Sequence, residues 1–76
     1  MIKTLGQERV RVDFNPANSD LVSRLKMKAA EGIDLVETSI KQDKFKKHNA
    51  EAMRLASLAQ TAFEEAAMWA VKAATA

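Results

Sequence analysis

The sequence has no cysteine and a single histidine, His48. That excludes disulfides and thiolate metal sites, suits a reducing cytoplasm, and leaves too few imidazoles for a histidine metal site within one chain. Glycine occurs twice and proline once, so backbone punctuation is confined to Gly6, Pro16 and Gly32. No apolar run reaches transmembrane length, and the N-terminus lacks the long apolar stretch of a signal peptide. No sign of charge dominates either: 12 basic residues against 10 acidic ones give +2, far from a nucleic-acid arm. At 76 residues the chain is one domain at most and buries only a modest fraction of its surface, so it needs a staple, a metal or self-association. The expectation is a small, soluble, intracellular protein without a cofactor.

What is present is helix. Residues 54–75 hold neither Gly nor Pro, are rich in Ala and contain the only Trp, so propensity and pattern agree. On a helical wheel Arg54, Thr61, Glu65 and Lys72 form one narrow polar stripe. Met53, Ala56, Ala59, Phe63, Ala66, Ala67, Ala70 and Ala74 take the other side. With Leu55, Ala62, Trp69 and Ala73 the apolar arc covers roughly half the circumference, wider than one partner helix needs.

Upstream, Gly6 is read as ending any early helix, and Pro16 restricts Asn15 to extended backbone. Residues 8–14 alternate polar and apolar like a strand, but a lone strand has nothing to pair with. An extended arm or a short helical turn lying on the helices is expected for residues 1–17. Asn18, Ser19 or Asp20 supplies an N-cap, after which Leu21, Leu25, Ala29, Gly32, Ile33, Val36 and Ile40 share one arc, with Lys26 at its edge. Gly32 costs about 1 kcal/mol in a helix interior, which close approach of the partner helix explains, though a ligand or a third helix would also need the space. The polar connector 42–49 then leads to Asn49 as a second N-cap. The fold class is all-α: an antiparallel two-helix hairpin over residues 18–76, with helices at about 18–43 and 49–74. Two helices cannot cover two wide apolar faces, so a homo-oligomeric bundle, at least a dimer, is inferred.

Catalytic constellations are missing. Glu64 and Glu65 point about 100° apart on a helix, poor geometry for paired carboxylates. Ser57 and His48 lie on different sides of the wheel and form no nucleophile–base pair. An enzyme is therefore not expected. What remains is a set of cations, Arg54 and Lys72 beside Thr61, with Lys26 and Lys28 on the first helix, and an aromatic, Phe14, flanked by Arg11. An aromatic beside a cation can stack a nucleobase while phosphate is neutralised nearby. The plainer readings are solvated positions and surface ion pairs, a hydrophobic anchor at Phe14, and a solvated turn at Lys44, Lys46, Lys47 and His48.

The order and spacing of several segments resemble a known family. Asp13-Phe14-Asn15-Pro16, Arg24-Leu25-Lys26 and Ile33-Asp34-Leu35-Val36-Glu37 precede Arg54, Ser57, Ala59 and Thr61, which lead into Phe63, Met68, Ala70, Lys72 and Ala73. Together, over roughly residues 9–76, they are similar to the phage anti-CBASS sponges, which counter cyclic-oligonucleotide-based antiphage signalling. Their hairpin is shared with the C-terminal part of a phage anti-Thoeris sponge. The resemblance implies a compact helical hexamer, a trimer of dimers, in the cytoplasm of the infected bacterium. It implies that cyclic dinucleotides are bound between subunits and withheld from the effector without being cleaved. The stacking aromatic and phosphate-binding lysine fall on Phe14 and Lys26, with Arg11 beside them; family members carry Tyr at the aromatic position, and Phe14 keeps the stacking face without the hydroxyl. A second kind of pocket, for cyclic trinucleotides, falls on Arg54 and Lys28, with Thr61 on the stripe of Arg54; a family example carries Thr in place of Lys28. The implied partners are cyclic oligonucleotides and further copies of the chain, with no membrane and no bulk nucleic acid. Two other readings stay open: a helical interaction module with no nucleotide ligand, and a small nucleic-acid-binding accessory protein using Lys41, Lys44, Lys46 and Lys47.

Overall fold

Residues 2–16 and 18–76 are described by a computed structural model. Three α-helices carry the chain: α1 (Leu5–Arg9), α2 (Asp20–Val36) and α3 (Ala50–Ala74). No strand occurs among the described residues. α2 widens into a π-helical turn at Glu37–Lys41, and a single 3-10 turn, Lys46–His48, precedes α3. The result is an antiparallel α2–α3 hairpin with α1 docked against α2.

Each helix starts on a side-chain cap. Ser19 Oγ accepts from Val22 N at 3.3 Å and Asn49 Oδ1 from Ala52 N at 3.0 Å, satisfying amides that have no partner within the helix. Thr4 and Gln7 form a reciprocal capping box that makes a helix of only five residues viable. The hairpin turn is tied by Asp43, whose Oδ1 accepts from Phe45 N at 2.8 Å and Lys46 N at 3.0 Å. The Lys46 and Phe45 N–H groups hold this carboxyl below its ordinary value of 3.8.

The first correction to sequence reasoning is at Gly6. It does not end a helix; it lies inside α1 and is buried. A Cβ there would stand 2.8 Å from Ala30 Cα, so the missing side chain is what lets α1 lie flat on the α2 backbone. Its N–H donates to Asp34 Oδ1 at 2.7 Å, anchoring the contact. The alternation at residues 8–14 forms no strand, in keeping with its lack of a partner. Val10 instead enters the core with Ala29, Ala30, Ile33 and Ala67, and Val12 packs against that cluster.

The buried stripe of α2 is displaced by one residue at its start. Val22 is 3 % exposed where Leu21 is 50 % exposed, and Lys26, expected at the edge, is only 6 % exposed. The arm covers this end of α2 and draws the Lys26 side chain beneath it. On α3, Ala56, Ala67 and the unforeseen Gln60 are buried, while Leu55, Leu58, Met68 and Trp69 stay exposed. Gln60 Nε2 donates to Ile33 O at 3.2 Å and Glu37 Oε1 at 3.1 Å, pinning the hairpin register at the point where α2 becomes π-helical.

Gly32 faces the Phe63 ring; an added Cβ would lie 2.6 Å from Cε1. That ring is partly exposed and free to swing outward. Gly32→Ala is therefore expected to balance a helix-propensity gain of about 1 kcal/mol against ring displacement. The net change should stay within about 1 kcal/mol, a Tm shift of no more than about 8 °C in either direction by calorimetry.

Candidate functional site

The site is built where α1 ends. Arg11 adopts a left-handed backbone, φ 57°, and the amides of Arg11 and Val12 return to Glu8 O at 3.2 Å and Gln7 O at 3.0 Å. This closing pattern usually employs Gly, and an Arg here carries backbone strain. The turn continues with Phe14 N donating to Arg11 O at 2.8 Å. It thereby aims the Arg11 and Phe14 carbonyls at α2, where Lys26 Nζ donates to both, to Arg11 O at 2.9 Å.

These contacts bring Phe14, Lys26 and Arg11 together. The Arg11 guanidinium lies 5.2 Å from the Phe14 ring centroid and Lys26 Nζ 5.4 Å from it, within cation–π range. Phe14 is 59 % exposed, leaving ring surface open to a visitor. Lys26 has three donors and uses two on carbonyls. Burial first, and the neighbouring Arg11 second, push its pKa below the ordinary lysine value.

Between the arm and the C-terminal half of α3 runs a groove of about 490 Å³. Arg11 and Lys26 line one wall; Thr61, Met68 and Lys72 line the other, with the Glu64 and Glu65 carboxylates beside them. A neighbouring hollow of about 320 Å³ is lined by Phe14, Asp13 and Lys3, and Arg11 belongs to both. Arg9 braces the groove, donating from Nε to Glu64 Oε1 at 2.9 Å and, at 3.5 Å, from Nη2 to Thr61 Oγ1. Spacing could not reveal Arg9 and Glu64 as site residues, because 55 positions separate them.

The other candidates do not assemble. Arg54 pairs with Glu51 and Lys28 with Glu31 at 3.8 Å, each on its own helix, and neither lines the groove. Thr61 lies in the groove, held by Arg9. Among the described residues no hydrogen bond or ion pair joins Arg54, Lys28 and Thr61.

Charge pairing separates two kinds of cation. Lys3, Arg9, Arg24, Lys28 and Arg54 each lie against a carboxylate. Of the basic residues in no ion pair among the described residues, Arg11, Lys26 and Lys72 all line the groove, and the other four are at the hairpin tip. A buried ammonium with no counter-charge is costly to keep unless an anion arrives. The Arg11–Lys26 end of the groove, next to the exposed Phe14 ring, therefore suits an anionic ligand with a flat, stackable part. Of the two carboxylates lining the groove, Glu64 is held by Arg9 and Glu65 accepts from Trp69 Nε1 at 3.2 Å. Among the described residues neither the Thr61 nor the Ser57 hydroxyl hydrogen-bonds to a carboxylate or to His48, and no cluster of three or more metal-ligating side chains occurs. No helix among them is long and apolar enough to cross a membrane.

A family model described as Acb2/Tad1, hairpin domain, matches residues 6–75, covering all of α1 but its first residue, both hairpin helices and every residue of the groove. No curated protein and no solved structure matches the chain.

Proposed function

Because the chain belongs to the Acb2/Tad1 hairpin-domain family, we propose that it is a phage anti-defence sponge acting in the cytoplasm of the infected host. It binds cyclic dinucleotides and withholds them from the CBASS effector without cleaving them. The observation that carries this reading is the buried, carboxylate-free Lys26 ammonium, set with Arg11 and Phe14 beside an open groove. Phosphate takes the remaining Lys26 donor and the Arg11 fork, and a base lies on Phe14. Stacking of this kind contributes about 1–3 kcal/mol per base.

The working unit in this proposal is a homo-oligomer, a hexamer built as a trimer of dimers. A compact 8.4-kDa protein exposes about 4,600 Å², whereas this chain exposes 5470 Å². Its Cα trace is only 12 Å deep in its thinnest direction, too thin to cover both faces of α3. Exposed Leu55, Leu58 and Trp69 supply the apolar surface that copies would bury. In this scheme the arm is residues 1–17, of which 1 and 17 lie outside the described residues, and the hairpin is residues 18–76. A cyclic trinucleotide pocket using Arg54, Lys28 and Thr61 would need a second copy, because one chain keeps these residues apart.

Titration calorimetry with a panel of cyclic dinucleotides tests the reading, and absence of binding below micromolar concentration would sink it. Recovery of intact ligand after denaturing the complex separates sequestration from hydrolysis, and sedimentation at micromolar protein must show more than a monomer. The depressed Lys26 pKa adds a sign. Affinity is expected to hold at neutral pH and to fall as pH rises through the lowered pKa, before the ordinary value of 10.5 is reached. Over the same interval the stability of the free protein should rise, since the unfolded chain holds that proton more tightly. Lys26→Arg should remove the alkaline loss of affinity; its persistence would assign the titration to another group.

A further inference from the structure

The four remaining cations without a carboxylate, Lys41, Lys44, Lys46 and Lys47, lie within residues 41–48 at the hairpin tip. Against them stands one acid, Asp43, whose Oδ1 is engaged by the amides of Phe45 and Lys46. The tip thus carries three net positive charges, while the other 68 residues, with eight basic and nine acidic, carry one net negative. All of the chain's excess positive charge is concentrated there. In its midst Phe45 is 78 % exposed, more than any other aromatic, and Lys44 Nζ lies 5.3 Å from its ring centroid. The backbone presenting it is tied down, with Lys47 N donating to Asp43 O at 2.9 Å beside the two Asp43 carboxylate bonds.

We propose that the hairpin tip is a binding site for single-stranded nucleic acid, in which a base stacks on Phe45 and the surrounding lysines meet the adjacent phosphates. A solvated turn requires neither an exposed aromatic nor the segregation of charge. Stacking on Phe45 needs an unstacked base, which a duplex withholds. Insertion into lipid would drag the Lys44 ammonium over the ring toward hydrocarbon, whereas a strand offers that ammonium a phosphate. The groove is not involved: Thr61, its α3 residue nearest the tip, is 11 residues beyond Ala50, about 16 Å along the helix. The proposal is therefore independent of the cyclic-dinucleotide reading.

Fluorescence anisotropy with a labelled oligothymidylate of about 20 nucleotides tests it. Neutralising four phosphates gives a log–log salt slope of about −3 for a single strand. Lys44→Glu with Lys46→Glu should weaken binding at least about tenfold and flatten that slope by about half. Phe45→Ala should weaken it about tenfold with the slope unchanged, and Phe45→Leu, which keeps the bulk, should weaken it similarly. These side chains are exposed, so the variants should keep the wild-type Tm. A saturating cyclic dinucleotide should leave oligonucleotide binding intact. No binding at about 50 mM salt overturns the proposal. So does equal or tighter binding of a duplex, sedimentation with phosphatidylserine vesicles but no oligonucleotide binding, or loss through Lys26→Glu but not through the tip variants.

Discussion

Lys26→Glu is expected to abolish cyclic dinucleotide binding while leaving the oligomer intact. The substitution removes the buried ammonium that would meet phosphate and sets a carboxylate in its place. Truncating one side of a buried charge pair costs about 2–5 kcal/mol or more, and like-charge repulsion adds to it. Affinity should fall by roughly 10²- to 10³-fold or beyond. A second loss is indirect: Lys26 also ties the Arg11 and Phe14 carbonyls, so the turn that presents Phe14 loosens. Lys26→Met separates the two effects, since it keeps the apolar stem and removes the charge without adding repulsion. It should bind measurably better than Lys26→Glu and show faster amide exchange at residues 11–14. Calorimetry and sedimentation together decide the matter, and wild-type affinity in Lys26→Glu would rule out this placement of the site.

Gly6→Ala carries the largest expected cost to stability, and its sign is diagnostic. In a solvent-exposed helix the change would stabilise by about 1 kcal/mol. Here the new Cβ meets the backbone of Ala30 rather than a movable side chain. Backbone cannot swing aside as the Phe63 ring can, so α1 must lift from α2. Lifting it strains the Gly6–Asp34 hydrogen bond and exposes Val10, which is 6 % exposed when docked. Overpacking of this kind costs about 1–3 kcal/mol. A Tm lower by about 4–24 °C is expected at fixed protein concentration. Ligand affinity should weaken as well, because α1 leads into the turn that bears Arg11 and Phe14. A raised Tm would mean that α1 is not held as described.

The hairpin was readable because local signals and long-range packing agree there. The Ala-rich run of α3, Asn49 as its cap and the polar connector each point to the same structure. The docking of α1 was hidden because Gly6 carries opposite meanings locally and in contact: a helix breaker by propensity, a contact point against Ala30 by packing. The burial of Lys26, placed only at the edge of its arc, and of Gln60, given no role, was hidden for a related reason. Both are polar residues whose burial depends on partners far along the chain, and helical periodicity assigns such residues to the surface. Phe14, Arg11 and Lys26 were suggested as a group by family resemblance. Nothing in their spacing shows that a left-handed turn at Arg11 would fold two carbonyls onto a lysine.

The brace between Arg9 and Glu64 also bears on time. Contacts between near neighbours in sequence close quickly, while a link across 55 positions must wait for much of the chain to be in place. The arm's contacts with α2 span only 15 to 28 positions, Lys26 to Arg11 and Gly6 to Asp34, so the arm can seat on α2 early, whereas the groove is complete only once the hairpin brings Glu64 to Arg9. On the proposed function the same brace bears on release: α1 is the shortest of the three α-helices, and short elements with few buried contacts tend to open locally first. How long a signal is held would then follow the opening rate of the arm, and strengthening the Arg9–Glu64 link would lengthen residence without altering a single ligand contact.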